Sequence, residues 1–571
     1  MRTKDNLTPW NQFDEYRGKY FNGEWPTLKE LFVINTMRYS SRQCWVEYAP
    51  KYLSLTYKEA EDRVKKVASW LLSLGLQKGD KVIVSGKNSV AWAVTYMATL
   101  YMGGTIVPLD SSLHDEDFVK LAKFSDAIVL IADNDRMKRV SELLPMKGYA
   151  CLEENGPYES VMNLSTPYIE GYNPTEEDIA AILFTSGTTG TPKGVMLTHK
   201  NLVADAYLAQ ANMNIYPTDV FYAILPIHHA YTMLAVFIEG FAAGASVVFG
   251  KKLVVSQMLK ELKEGKVTMF LGVPMLFNKL YAGIINGVKA KGPIVYGFIR
   301  FLMGISGFLK KTFGINIGKK MFSFLLKKVS LDTNRICICG GGPLPSETFK
   351  GFNELGIDFV QGYGLTETSP ITHLNPIYAF KVESVGKNIA QTECKIVSPD
   401  SDGNGIIYIR GPQVMKGYYK NQEATDEILE KDGWLNTGDV GHIDSEGYLY
   451  LTGRAKSIIV TDGGKNVFPE EIEDKFQLYD EIEQICIIGY LKDKAMKVEG
   501  IRAVIYPSKA LRDTKSKDEI SARISAIIEE VNKTLQSYKK ITMVTVTDEP
   551  LEMTSTKKIK RFVVAQKYKL D

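Results

Sequence analysis

The stretch Phe184-Thr-Ser-Gly-Thr-Thr-Gly-Thr-Pro-Lys-Gly194 follows an apolar, strand-like run and precedes a helical pattern that begins near Asn201. Gly187, Gly190 and Gly194 let backbone amides turn inward, Thr185, Ser186, Thr188 and Thr189 offer hydroxyls, and Lys193 adds a positive charge. That composition suits a phosphate group. A polar turn between strand and helix is the plainer reading, but it does not call for so many glycines and hydroxyls beside a lysine. The P-loop spelling GxxxxGK[ST] is excluded, because Pro192-Lys193-Gly194 stands where Gly-Lys-Ser/Thr is required.

Outward from this loop the chain alternates. Thr56 and Glu59 form a capping-box pattern ahead of Ala60, Val64, Val67, Ala68 and Leu71, spaced as one face of a helix that Gly75 ends. Lys81-Val-Ile-Val-Ser85, a helical Val90 to Tyr101 and Thr105-Ile-Val-Pro108 then read as strand, helix and strand, the sign of parallel α/β units. Further apolar runs near Ala127, Ala180, Ser246, Met269 and Arg335 extend the pattern to a large sheet layered with helices. After about residue 400 short strands and Asp-Gly turns predict a small β subdomain, and from Ser457 onward a compact α+β set follows. The expected fold class is therefore α/β: a large N-terminal domain of layered subdomains, residues 1–455, and a smaller, mobile α+β C-terminal domain, residues 456–571. No low-complexity tract joins them, which favours a hinge over a tether.

The 571 residues exceed what one core ordinarily organises. With 45% hydrophobic and 24% charged residues the chain is of ordinary globular type, and 69 basic against 66 acidic residues exclude the concentrated basic surface of a nucleic-acid binder. Six cysteines without a CxxC pair read as buried, reduced thiols. The N-terminal MRTKDNLTPW lacks a signal-peptide core, so a cytoplasmic location is expected. Two apolar stretches, 221–250 and 294–309, are interrupted by polar or charged residues and read first as buried core rather than as membrane spans.

Six more stretches carry chemistry: Leu225-Pro-Ile-His-His229, Gly340-Gly-Gly-Pro343, Gly362-Tyr-Gly-Leu-Thr-Glu367, Trp434-Leu-Asn-Thr-Gly-Asp439, Thr452-Gly-Arg454 and the closing Met553-Thr-Ser-Thr-Lys-Lys-Ile-Lys-Arg561. With the Gly/Thr loop, they resemble in order the motifs of the adenylate-forming superfamily, which comprises acyl-CoA synthetases, peptide-synthetase adenylation domains and firefly luciferases. The resemblance runs from about residue 180 to 561.

The resemblance implies ATP, Mg²⁺ and CoA as reaction partners, and it assigns roles whose residue types suit them. Thr366 hydrogen-bonds the α-phosphate, Glu367 with Thr185 holds Mg²⁺, and Lys558 bridges carboxylate and phosphate oxygens as charge builds on a pentacoordinate phosphorus. The loop residues Thr185, Ser186, Gly187, Thr188, Thr189, Gly190 and Lys193 hold the nucleotide's phosphates. Tyr363 stacks on adenine beside Gly341 and Gly342, while Asp439 accepts from the ribose hydroxyls with Arg454 nearby. His229 occupies the gate between acyl pocket and nucleotide; His228 competes for that role, and the Leu-Pro-x-x-His spelling favours His229. Lys456 falls at the family's hinge, about which the C-terminal domain would rotate, withdrawing Lys558 and bringing Gly463, Gly464 and Lys465 toward the pantetheine tunnel. Two departures stand: Lys557 replaces the usual Gly before the closing lysine, with the spacing to Ile559 and Arg561 selecting Lys558, and Gly405-Ile406 replaces Gly-Glu.

Amino-acid-activating relatives place an Asp where this chain has Ile227-His228-His229-Ala230, so an ammonium anchor is missing, and the candidate pocket walls, 231–243 and 271–276, read as apolar. The expected reaction joins a carboxylic acid, a long-chain fatty acid in the first place, to CoA through an acyl-adenylate. Loading of a separate acyl carrier protein is the alternative. The insert 284–329, with paired lysines at 310/311, 319/320 and 327/328, resembles what long-chain members carry, and peripheral contact with a membrane stands there against packed helices with a solvated basic face.

Overall fold

The computed structural model describes residues 8–185, 192–252, 254–461, 465–493, 498–554 and 558–568. The chain divides into two compact units. The first comprises residues 1–342, 347–394 and 409–435, and the second 343–346, 395–408 and 436–571.

The first unit is built on two sheets. In one, strands run in the order Lys387–Asn388, Ile371–Leu374, Asp358–Gly364, Ile336–Cys339, Met269–Gly272, Val220–Ala223, Ser246–Phe249, Gln43–Glu47 and Leu53–Thr56. The six from Asp358–Gly364 to Gln43–Glu47 are mutually parallel. In the other, the order is Gly417–Tyr418, Lys193–Thr198, Ile179–Thr185, Thr105–Pro108, Lys81–Ser85, Val129–Ala132 and Gly148–Cys151, parallel from Ile179–Thr185 onward. Strands covered on both faces read as continuous apolar runs, and Val82, Ile83 and Val84 are wholly buried.

Local chemistry explains the helices around these sheets. Thr56 accepts the Glu59 amide at 3.2 Å while Glu59 accepts the Thr56 amide at 2.8 Å, closing the capping box that starts Tyr57–Ser73. Val90–Tyr101 is buried at every position, because it packs against strands of both sheets. Five of the six free cysteines are buried and Cys394 is half-buried, in keeping with their expected role as inert thiols.

The second unit contains the hairpin Ile459–Thr461/Lys465–Val467 and a three-stranded sheet of Ile482–Asp493, Val498–Pro507 and Met543–Val546. The amphipathic helix Lys517–Thr534 buries Ile520, Ile524, Ile527, Ile528 and Val531 in that unit's own core. A four-stranded sheet, Glu393–Val397, Gly405–Arg410, Leu435–Ile443 and Leu449–Arg454, supplies the β subdomain.

Two expectations need correction. The Gly/Thr loop does not lead from strand to helix: Ile179–Thr185 and Lys193–Thr198 form an antiparallel hairpin with Thr185 opposite Lys193, and the helix begins only at His199. The stretch 221–250 is largely buried, but the helix Pro293–Phe313 is not core, since most of its residues are accessible.

Candidate active site

Parallel strands deliver their carboxyl ends to one edge of a sheet, where open α/β proteins gather ligands. In the nine-stranded sheet, Val220–Ala223 leads to His228 and His229, Ile336–Cys339 to Gly340-Gly-Gly342, and Asp358–Gly364 to Thr366 and Glu367. Gly341 holds φ +83°, a left-handed conformation that favours glycine. A Cβ on Gly341 or Gly342 would approach nothing closer than 3.8 and 3.6 Å, so one side of this backbone stays open. Tyr363 is half-buried with its ring centroid 6.0 Å from that of His373. Burial lowers the His373 pKa to about 3, so the imidazole behind Tyr363 is neutral at physiological pH.

Glu367 lies in the single turn Thr366–Thr368, directly after Thr366 has left the strand. The Tyr418 hydroxyl donates to Glu367 Oε1 at 2.7 Å, whereas Oε2 has no hydrogen-bond partner among the described residues. Tyr418 itself is buried by pairing of Gly417–Tyr418 with Met196 and Val195. Lys193 Nζ sits 4.8 Å from the Tyr418 ring centroid, within cation–π range. Lys193, Tyr418 and Glu367 thereby form a cation, ring and carboxylate in sequence. Thr185 reaches the Lys193 carbonyl at 3.5 Å across the hairpin. The donor set fits a hard cation such as Mg²⁺, with one carboxylate oxygen held and the other open. Ser186, Gly187, Thr188, Thr189 and Gly190 lie outside the described residues.

The Leu225-to-His229 loop is pinned by Asn88, whose amide donates to the Ala223 and Leu225 carbonyls at 2.8 Å each and whose Oδ1 accepts the Ile227 amide at 3.0 Å. His228 Nε2 lies 3.5 Å from Asp110 Oδ2, and the His228 and His229 rings are 4.1 Å apart. Ligand atoms of Asp110, His228 and His229 all fall within 4.8 Å of one another. Both imidazoles thus lie beside the Asp110 carboxylate, and His229 immediately precedes the helical turn Ala230–Thr232. Tyr231 approaches the glycine backbone: a Cβ on Gly340 would meet its ring at 3.1 Å. The segment 231–243 is not wholly apolar as a wall, because Glu239 is fully buried with both carboxylate oxygens lacking a hydrogen-bond partner among the described residues, and desolvation raises its pKa well above the usual range.

In the second unit, Asp439 and Arg454 face each other across antiparallel strands, with Arg454 Nε 2.9 Å from Asp439 Oδ1. Lys558 is fixed by its backbone: its amide donates to Thr554 Oγ1 at 3.1 Å and its carbonyl accepts the Thr554 amide at 2.8 Å. The residue is solvent-exposed, yet desolvation by the protein atoms around its ammonium lowers its pKa, Arg454 lowers it further, and Asp439 opposes both. Arg561 ties the following helix to the unit's core through Glu470 at 2.9 Å and the Ile487 carbonyl at 2.6 Å. Lys456 is exposed in the turn Ala455–Ser457, and Lys465 opens the strand Lys465–Val467. Gly463, Gly464 and Lys557 lie outside the described residues.

Residues 35–419 match the family described as AMP-binding enzyme, and residues 456–571 match the AMP-binding enzyme C-terminal domain. This chain is an AMP-binding enzyme. Among its relatives are a chloroplastic long-chain-fatty-acid–[acyl-carrier-protein] ligase of Arabidopsis thaliana, 28% identical over 96% of this chain and 86% of that protein. The long-chain-fatty-acid–CoA ligase FadD15 of Mycobacterium tuberculosis is 28% identical over 91% and 92% of the respective chains. The fold matches ATP-bound MatB from Rhodopseudomonas palustris with a TM-score of 0.75 at 24% identity, covering 95% of this chain and 99% of the other.

Three residues that hold the candidate site together escape a reading of the sequence: Tyr418, Asn88 and Asp110. Each acts across a large separation, 51 positions between Tyr418 and Glu367 and 139 between Asn88 and Ile227. Gly417, at φ +140° just before Tyr418, and Lys420, at φ +54° just after it, mark a special backbone there.

Proposed function

We propose that this AMP-binding enzyme activates a long-chain fatty acid as an acyl-adenylate and transfers the acyl group to CoA. The observation that carries the reading is the Lys193–Tyr418–Glu367 chain beside the open Gly341-Gly342 backbone at the carboxyl edge of the parallel sheet. An acid carboxylate oxygen attacks the α-phosphorus, the bond to the β-phosphate oxygen breaks, and pyrophosphate leaves. Thr366 donates to the α-phosphate, and Lys558 offers an ammonium to the oxygens that gain charge. Tyr363 receives the adenine and Asp439, backed by Arg454, the ribose. Glu367 with Thr185 would hold Mg²⁺, which when bound neutralises phosphate charge. The loop 185–190 and Lys193 complete the nucleotide's phosphate contacts.

In the second half-reaction the thiolate attacks the acyl carbonyl and AMP leaves with its phosphate oxygen. Residues 456–571 would turn about Lys456, exchanging Lys558 for Gly463, Gly464 and Lys465. His229 gates the acyl side. The second reading, transfer to a carrier protein, is favoured by the name of the Arabidopsis relative. A cytoplasmic enzyme with peripheral membrane contact belongs to the same proposal, because its substrate partitions into bilayers.

The discriminating experiment supplies the same acid, ATP and Mg²⁺ with either CoA or an acyl carrier protein bearing pantetheine. Thioester formed with CoA supports the first reading. Thioester formed only on the carrier protein replaces it with the second.

A further inference from the structure

The helix Pro293–Phe313 spans 21 residues, about 30 Å at 1.5 Å per residue. Ile294, Phe298, Phe301, Ile305 and Phe308 are 87%, 60%, 65%, 37% and 61% exposed. At 100° per residue these five fall within an arc of roughly 80°. Ile299, Met303, Ser306 and Lys310 are buried on the opposite side. Lys310 rivets that side to the domain, with Nζ 2.8 Å from Asp358 and 2.9 Å from Asn353 Oδ1 and the Ile357 carbonyl. The helix is thus apolar on both faces, and only the inner one has a partner.

Charge along this stretch of the chain is one-sided, with Glu354 approaching from outside it to within 3.9 Å of Arg300. Between Glu264 and Asp332 the chain has eleven Lys or Arg and no Asp or Glu, against 69 basic and 66 acidic residues overall. Lys289, Lys291, Lys311, Lys320, Lys327 and Lys328 are exposed at and beyond the helix ends, whereas Lys310 and Lys319 of the expected pairs turn inward to structural partners. A phenylalanine-rich stripe framed by lysines matches the boundary between acyl chains and anionic headgroups. A second copy of the same surface would meet it with the same uncompensated positive charge, which disfavours self-association.

We infer that Pro293–Phe313 lies flat on an anionic bilayer, its outer stripe among the acyl chains and the flanking lysines at the phosphates. The helix is long and apolar enough to cross a membrane, but its buried inner face and the Lys310–Asp358 pair hold it to the folded domain, so it lies in the interface. The inference deepens the fatty-acid reading by placing the enzyme where its substrate accumulates, and it rests on a surface that takes no part in the reaction.

The test is co-sedimentation of the full-length protein with vesicles of phosphatidylcholine alone or mixed with phosphatidylglycerol, at low and high salt. The expected result is binding to the mixed vesicles that weakens with salt. In the variant Phe298→Asp/Phe301→Asp/Phe308→Asp the partition coefficient falls at least about tenfold. Its turnover of a water-soluble short-chain acid stays at the wild-type level, which reports an intact fold. Wild-type protein that stays in the supernatant with both vesicles overturns the inference, as does a triple variant that pellets equally. A wild-type dimer in sedimentation velocity that the variant loses, without vesicle binding, reassigns the stripe to a second copy and also overturns it. Vesicle binding by a protein that releases no AMP with any acid supports the docking surface and removes the fatty-acid reading.

Discussion

Replacing Tyr418 with Phe removes one oxygen from the candidate site and leaves the ring beneath Lys193 in place. The lost bond is the 2.7 Å hydroxyl donation to Glu367 Oε1, from a tyrosine only 6% exposed. A hydrogen bond to a charged acceptor contributes about 1.5–3 kcal/mol. Expressed as an equilibrium constant, that is roughly a 10- to 150-fold change. The range overlaps the ~10–100-fold loss of metal affinity typical when an outer-shell partner of a ligating carboxylate is removed. If Glu367 holds Mg²⁺, Tyr418→Phe raises the half-saturating Mg²⁺ concentration at least about tenfold in acid-dependent pyrophosphate–ATP exchange, while the rate at saturating Mg²⁺ falls less. The same shift is expected in the Mg²⁺ dependence of ATP-induced thermal stabilisation, which needs no turnover. Tyr418→Leu, which also removes the ring from Lys193, is expected to weaken ATP binding in addition. A Tyr418→Phe enzyme with wild-type Mg²⁺ dependence in both assays would refute the idea that this hydroxyl positions the metal-binding carboxylate.

Two further outcomes follow from the titratable groups. Lys558→Ala is expected to slow adenylate formation by about 10²–10³, the scale of one lost electrostatic stabiliser, while turnover of pre-made acyl-adenylate with CoA is retained; equal losses in both half-reactions contradict the assignment. Because the Lys558 pKa is lowered, the wild-type adenylation rate should decline on the alkaline side at a pH below that of an ordinary lysine, and this limb should be missing from the residual rate of the alanine variant. Glu239 has a folded pKa raised by burial, so its favourable contribution is complete below its unfolded pKa of about 4.3 and is lost as pH rises toward the folded value, at about 1.4 kcal/mol per pH unit. Glu239→Gln should therefore gain on the wild type in denaturation midpoint as pH is raised from acid to neutral, and a pH-independent difference between the two proteins counts against a buried, neutral carboxyl.

Much of the frame is legible in the chain because its cues are local. Thr56 and Glu59 cap their helix across three residues, and Val82-Ile-Val84 can satisfy neither a helical nor a surface pattern. The motif residues Gly341, Tyr363 and Glu367 could be located because each sits in a short contiguous stretch, 340–343 or 362–367, whose spelling resembles a family motif. Lys193–Thr198 was not legible as a strand: Val195-Met-Leu197 is too short a run to separate from the helix beginning at His199, and its pairing with Ile179–Thr185 is a tertiary fact. Tyr418 and Asn88 are invisible for the same reason, since what makes them matter lies far along the chain. The helix Pro293–Phe313 failed in another way. Periodicity reports which residues are apolar, not whether anything covers them, and a helix apolar on both faces reads as core until its outer side is found bare.

The central claim is tested most directly by CoA-dependent AMP release from the purified protein with ATP and Mg²⁺, across acids from acetate through palmitate and oleate, with benzoate and coumarate for comparison. AMP release that requires CoA and rises with alkyl chain length is the predicted result. A preference for acetate or for the aryl acids contradicts the long-chain assignment, and acid-dependent pyrophosphate exchange without CoA turnover contradicts CoA as the acceptor.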